Sequence, residues 1–132
     1  MDWVPPQWNY EVLRLQLIAE KNGWITVKPP FRVGKSGVIH KFSYLAADGN
    51  VLCGFDFYEN VRERDVQKVV SKRKDTGIYA IIVSLNGTPD EKIWRYADDR
   101  GVTILSPGTQ VESFLRLCSN EIENPRAREP VR

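Results

Sequence analysis

The chain has 132 residues, 42% of them hydrophobic and 11% aromatic, which suits one packed domain and argues against disorder throughout. Nineteen Lys and Arg against seventeen Asp and Glu leave a net charge of +2, too mild a basicity to argue for a nucleic-acid partner by itself. Cys53 and Cys118 form no Cys-x-x-Cys motif and sit in apolar patterns, so they read as buried free thiols of a reducing compartment. No run approaches the ~18 apolar residues of a membrane span. Met1 to Pro6 has neither the basic nor the apolar region of a secretory signal, and a cytoplasmic protein is the expectation.

Pro5 and Pro6 hold residues 1–8 extended. Asn9 reads as the N-cap of a helix with Val12, Leu13, Leu15, Leu17 and Ile18 on its apolar positions, closed by Asn22-Gly23. Trp24 to Val27 is β-rich; Pro29-Pro30 breaks it or places it on an edge, and Phe31 to Val33 resumes it. After the loop Gly34-Lys35-Ser36-Gly37, strands Val38–Ala46 and Val51–Tyr58 form a hairpin around Asp48-Gly49-Asn50. A helix over 61–74 buries Val66, Val69 and Val70 and carries Arg64, Lys68 and Lys72 at i, i+4 and i+8 on another face, with Arg62, Arg73 and Lys74 nearby. Asp75-Thr76-Gly77 ends it.

Ile78 to Val83 is an uninterrupted apolar run, the pattern of a central strand buried on both faces. Thr88 caps a third helix, with Pro89 at its first position and Glu91 completing a capping box. Val102 to Leu105 is the last strand, and Ser106-Pro107-Gly108 leads to a fourth helix with Val111, Phe114, Leu115 and Cys118. Residues 119–132 are polar and read as a mobile tail. The order α-β-β-β-α-β-α-β-α predicts a single α/β domain over 9–118, with a mixed central sheet and helices on its faces.

The stretch Ser36-Gly37-Val38-Ile39-His40-Lys41-Phe42-Ser43-Tyr44-Leu45-Ala46, followed by Val51 to Tyr58, resembles the paired central strands of the restriction-endonuclease-like, or PD-(D/E)xK, nucleases. In that superfamily the first strand carries an Asp in a context like H-x-F-D-x-L-A, and the second carries (D/E)-x-K. Ser43 stands where the Asp is expected and Tyr58 where the Lys is expected, while Asp56 is retained. Tyr10-Glu11-Val12-Leu13 through Gly23-Trp24 is similar to the first helix of archaeal Holliday-junction resolvases, which places Glu11 at their metal-site Glu. The resemblance implies carboxylates that hold Mg²⁺ against a scissile phosphate, with a Lys offsetting charge. A serine is a poor replacement for a carboxylate ligand, and a tyrosine supplies no ammonium charge.

The leading expectation is therefore a catalytically inactive nuclease-fold protein that binds nucleic acid, DNA favoured, in repair, recombination or transcription, with no cofactor. Arg32, Lys35, Ser36, Lys41, Arg64, Lys68 and Lys72 are the candidate contacts, together with the backbone amides of the 34–37 loop. One alternative is an active, Mg²⁺-dependent nuclease whose site has migrated, built from Glu11, Asp56 and Lys41 or Glu59, with Asp48 as a further carboxylate. The other is a protein-interaction module on a dead nuclease scaffold, using Trp3 and Trp8. A homodimer follows from the resolvase analogy alone. His40 has no evident catalytic partner and reads as a packed or hydrogen-bonded residue. Gly34-Lys35-Ser36 lacks the upstream glycine of a P-loop, Asp75-Thr76-Gly77 follows a basic helix rather than a strand, and Pro89-Asp90 opens a helix; none is taken as a functional motif.

Overall fold

The structure, a computed structural model, describes residues 9–123, with side chains through Cys118. The extended stretch expected over 1–8, with Trp3 and Trp8, and residues 124–132 of the expected tail lie outside the described residues. Among the described residues eleven elements follow one another: α1 (Asn9–Lys21), β1 (Ile25–Thr26), β2 (Phe31–Val33), β3 (Ile39–Lys41), β4 (Tyr44–Asp48), β5 (Val51–Tyr58), α2 (Glu63–Thr76), β6 (Tyr79–Ser84), α3 (Glu91–Asp99), β7 (Thr103–Leu105) and α4 (Thr109–Glu123).

Five strands form a mixed sheet in the order β1-β4-β5-β6-β7, and β2 and β3 form a separate two-stranded sheet. β1, β4 and β5 run antiparallel to their neighbours; β5, β6 and β7 are parallel and joined through α2 and α3. The β4–β5 hairpin closes as expected, with Asp48 paired to Val51 and Gly49 at φ 61° in the turn.

Strand alternation divides the core. One face of the sheet presents Tyr44, Ala46, Cys53, Phe55, Phe57, Ile81 and Val83 to Leu15 and Ala19 of α1 and to Val111 and Leu115 of α4. The other presents Ala80 and Ile82 to Val66, Val69 and Val70 of α2 and to Ala97 of α3. β6 is thus buried on both faces, as its unbroken apolar run predicts. Trp24 is buried and donates from Nε1 to the Leu115 carbonyl at 3.2 Å, tying the chain after α1 to α4.

Three sequence expectations need correction. The strand expected over 38–46 is two strands: β3 pairs with β2 outside the main sheet, and the chain enters the main sheet only at β4. The switch occurs at Phe42 and Ser43, whose amides donate to Pro30 O (2.8 Å) and Phe55 O (2.9 Å) respectively. The Phe42 ring is buried and lies where Gly54 leaves the sheet surface bare; a Cβ on Gly54 would stand 2.5 Å from it. The third helix starts at Glu91 with Asp90 as its N-cap, the side chain accepting from Ile93 N at 3.0 Å, so Thr88 is not the cap. The α4 backbone continues to Glu123, past the expected end at 118; nothing in Ser119-Asn120-Glu121-Ile122-Glu123 breaks a helix.

The Phe42–Gly54 contact is directly testable. Gly54→Ala is expected to lower unfolding free energy by about 1–3 kcal/mol through overpacking, measured by urea unfolding. In a Phe42→Ala background the same substitution should cost clearly less, because the obstructing ring is gone.

Candidate functional site

Asp56 is one residue out of phase with Phe55 and Phe57, which face α1 and α4, so its carboxylate faces α2. It is 7% exposed. Oδ1 accepts from Ser43 N at 3.2 Å, and Oδ2 accepts from Lys72 Nζ at 2.9 Å. Lys72 also donates to the Lys41 carbonyl and lies 5.0 Å from the centroid of the Phe42 ring. Burial pushes the Asp56 carboxyl above the ordinary carboxylate range, and the Lys72 charge and hydrogen bond pull the other way. The Tyr58 phenol, two residues on, is pushed up by burial and then by the charges of Asp56 and Asp65, so it is neutral near pH 7 and supplies no cation.

Lys72 therefore does not belong to the solvent-facing stripe in which the i, i+4, i+8 pattern placed it. It stands four residues after Lys68 but also three after Val69, which is fully buried. That second spacing is the sequence signal for an inward reach. Arg64 and Lys68 do lie on the exposed face of α2.

Glu11 is on the other side of the sheet. It lines a small cavity with Leu15, Ile18, Phe57 and Val83, and Arg14 Nη1 lies 3.8 Å from its Oε1. Because Phe57 and Asp56 point to opposite faces, Glu11 and Asp56 do not converge, and the metal pair implied by the resemblance is not assembled. Glu59 is exposed beyond the end of β5. Asp48 pairs with Val51 at the opposite end of that strand from Asp56, about 17 Å away along it. Lys41 contributes its backbone carbonyl, and its side chain is on the exposed side of β3. Among the described residues no group of three or more His, Cys, Asp and Glu is arranged to hold a metal ion. The residues around Asp56 do not fit Mg²⁺: both its carboxylate oxygens already accept from N–H donors, one of them cationic, and Asp65, the other carboxylate that acts on Tyr58, accepts from the Arg62 amide at 2.9 Å.

The 34–37 loop does not have amides to offer a phosphate. Gly34 N donates to Val38 O (2.8 Å), Lys35 N to Asp75 O (2.9 Å) and Gly37 N to Gly34 O (3.0 Å). The Asp75 side chain takes the rest: Ser36 N donates to Oδ1 (2.9 Å), Ser36 Oγ to Oδ2 (2.6 Å), and His40 Nε2 lies 2.7 Å from Oδ2. Asp75 is an internal anion in the place expected for an external one, which removes the Ser36 hydroxyl and the loop backbone from the candidate contacts. Gly34 is required there, since a Cβ would meet Asp75 Oδ2 at 1.9 Å. His40 is thus a hydrogen-bonded structural residue. Asp75, held ionised, accepts, so the hydrogen is on Nε2. The hydrogen bonds from Ser36 and then His40 hold the Asp75 carboxyl down at about 2.

The remaining basic candidates form a rim. Lys35 is exposed in the loop, Lys41 on β3, and Arg64 and Lys68 on α2. Asp75 and Lys72 join the β2–β3 hairpin to α2, which carries Lys68 and Arg64 one and two turns before Lys72. Arg32 is half-buried and its Nη1 donates to the Phe31 carbonyl at 3.0 Å, so it is turned toward its own backbone rather than outward. Neither Cys53 nor Cys118 is in a disulfide; Cys53 is buried, Cys118 is half-buried rather than buried as expected, and both line a cavity of about 280 Å³ shared with residues of β6, β7 and α4; burial pushes the Cys53 thiol up to about 12.

No family model and no curated protein matches this chain. A solved structure described as the crystal structure of a protein of unknown function, AF1548, is similar to it, with a TM-score of 0.60 and 13% identity over 85% of this chain and 67% of that one. That likeness shows a shared α/β fold with a mixed sheet and carries nothing on activity.

Removing one partner of the Asp56–Lys72 pair leaves the other buried. Lys72→Ala is expected to destabilise by on the order of 2 kcal/mol, reduced from the fully buried case because the lysine side chain is 20% exposed. Asp56→Asn combined with Lys72→Ala should recover part of that loss in a double-mutant cycle by urea unfolding. Asp75 gives a pH signature. Its folded value, about 2, lies below its ordinary value of 3.8. Its contribution is therefore complete above about pH 4 and is lost as pH falls toward 2. Asp75→Asn should lower Tm at pH 6, and the gap to the unaltered protein should narrow from pH 4 to pH 2, followed by circular dichroism.

Proposed function

We propose that this chain is a restriction-endonuclease-like protein that binds nucleic acid, DNA favoured, without the metal-dependent cleavage of that superfamily. The observation that carries the reading is the Lys72 ammonium on Asp56, 2.9 Å away, where the superfamily's chemistry calls for a divalent cation. A cation that belongs to the protein neutralises the retained carboxylate, Ser43 replaces the first acid, and a neutral Tyr58 replaces the lysine. What supports binding is the set of exposed basic residues Lys35, Lys41, Arg64 and Lys68, carried on the hairpin and on the helix that holds it. The element order and the paired strands β4 and β5 support the fold assignment.

A protein-interaction role is the second reading. Tyr10, Leu13 and Leu17 are 72%, 54% and 61% exposed at i, i+3 and i+7 of α1, an apolar stripe with no cover among the described residues.

Salt dependence separates the two. Duplex DNA binding is expected to weaken steeply with salt, and Arg64→Ala with Lys68→Ala should reduce the slope of log K against log salt by about 2, read by fluorescence anisotropy. Asp56→Ala should leave DNA intact with Mg²⁺ or Mn²⁺ just as the unaltered chain does. Metal-dependent cleavage abolished by Asp56→Ala would overturn the proposal, and absence of any salt-sensitive DNA binding would leave the protein-partner reading in its place.

A further inference from the structure

We propose that the β2–β3 hairpin is a wedge whose apolar tip enters a base step of duplex DNA and unstacks it, an inference that rests on the nucleic-acid reading above. The hairpin is a separate two-stranded sheet with its own register, Phe31 to Lys41, Arg32 to His40 and Val33 to Ile39. Val33, Val38 and Ile39 are 61%, 54% and 56% exposed. Val33 and Ile39 are cross-strand partners and so share one face, and Val38 precedes β3 directly. These branched side chains at the tip serve no core, and water-facing Val and Ile together are what a docking surface displays.

A lone two-stranded hairpin is marginally stable in water and would be a poor wedge. This one is braced. Asp75 accepts from the Ser36 amide and hydroxyl and contacts His40. Lys72 donates to the Lys41 carbonyl, and the Phe42 amide donates to Pro30 O. The loop amides of Gly34, Lys35 and Gly37 are all paired within the protein. The tip is therefore presented by a fixed base on α2, not by a floppy loop.

The surroundings of the tip select the partner. Lys35 stands in the loop beside it, Lys41 at its base, and Arg64 and Lys68 continue the adjoining face of α2. Apolar side chains between cations match a stack of bases flanked by phosphates, and apolar wedges that enter base steps are an established way for proteins to unstack and bend a duplex. An apolar protein surface would serve the tip alone, whereas duplex DNA offers bases to the tip and phosphates to Lys35 and Lys68.

The test uses the full chain and relaxed closed-circular plasmid DNA with a topoisomerase. Wedge insertion unwinds the duplex, so the topoisomer distribution should shift after deproteinisation, whatever the register of binding. Val38→Ser with Ile39→Ser should abolish the shift at saturating protein while leaving the urea-unfolding midpoint close to that of the unaltered chain, as both positions are solvent-facing. Lys35→Ala with Lys68→Ala should instead weaken binding and its salt slope. An unchanged topoisomer distribution under saturating protein, or an equal shift with the Val38 and Ile39 variant, would overturn the wedge and leave the nucleic-acid reading standing. No duplex binding at low salt would overturn both.

Discussion

A carboxylate placed inside an apolar sheet has to find a cation, and Asp56 finds it in Lys72. The same ammonium holds the Lys41 carbonyl and covers the Phe42 ring. It sits where the chain leaves the β2–β3 hairpin and enters the main sheet, so it joins β3, the β3–β4 switch, β5 and α2. The placement of the hairpin and the chemistry available to Asp56 follow from that single group.

Asp75 performs the complementary service at the end of the same helix. There an anion satisfies donors, and at Asp56 a cation satisfies acceptors. Both are positioned by α2, whose inner face is set by Val66, Val69 and Val70. The electrostatics of the candidate site are thus an outcome of how one valine-lined helix seats on the sheet.

Much of this architecture is legible in the chain. The apolar run at β6, the Gly49 turn and the helix α2 can be read from period and turn chemistry, because those signals are local. The split of the long strand is not, because it depends on Phe42 packing over Gly54 and on the hydrogen bond to Pro30 O, contacts between residues distant along the chain. The opposite sides taken by Glu11 and Asp56 were open to reading: Phe55 and Phe57 flank Asp56, and an apolar pair one residue out of phase claims the face against the first helix. The inward reach of Lys72 is not legible from spacing alone, because a helical residue at the boundary between two faces satisfies both spacings, and only the buried partner decides between them. The loop amides are taken by Asp75, a residue thirty-nine positions from Ser36, which no local pattern connects to them.

The sheet's margins bear on how copies of the chain can meet. β1 has two residues and β7 three, so each border of the five-stranded sheet offers a very short row of backbone groups to an incoming strand. Such borders are poor templates for continuing the sheet from one molecule into the next. Continuation of the five-stranded sheet from one molecule into the next is thereby disfavoured, as it would not be with longer open borders.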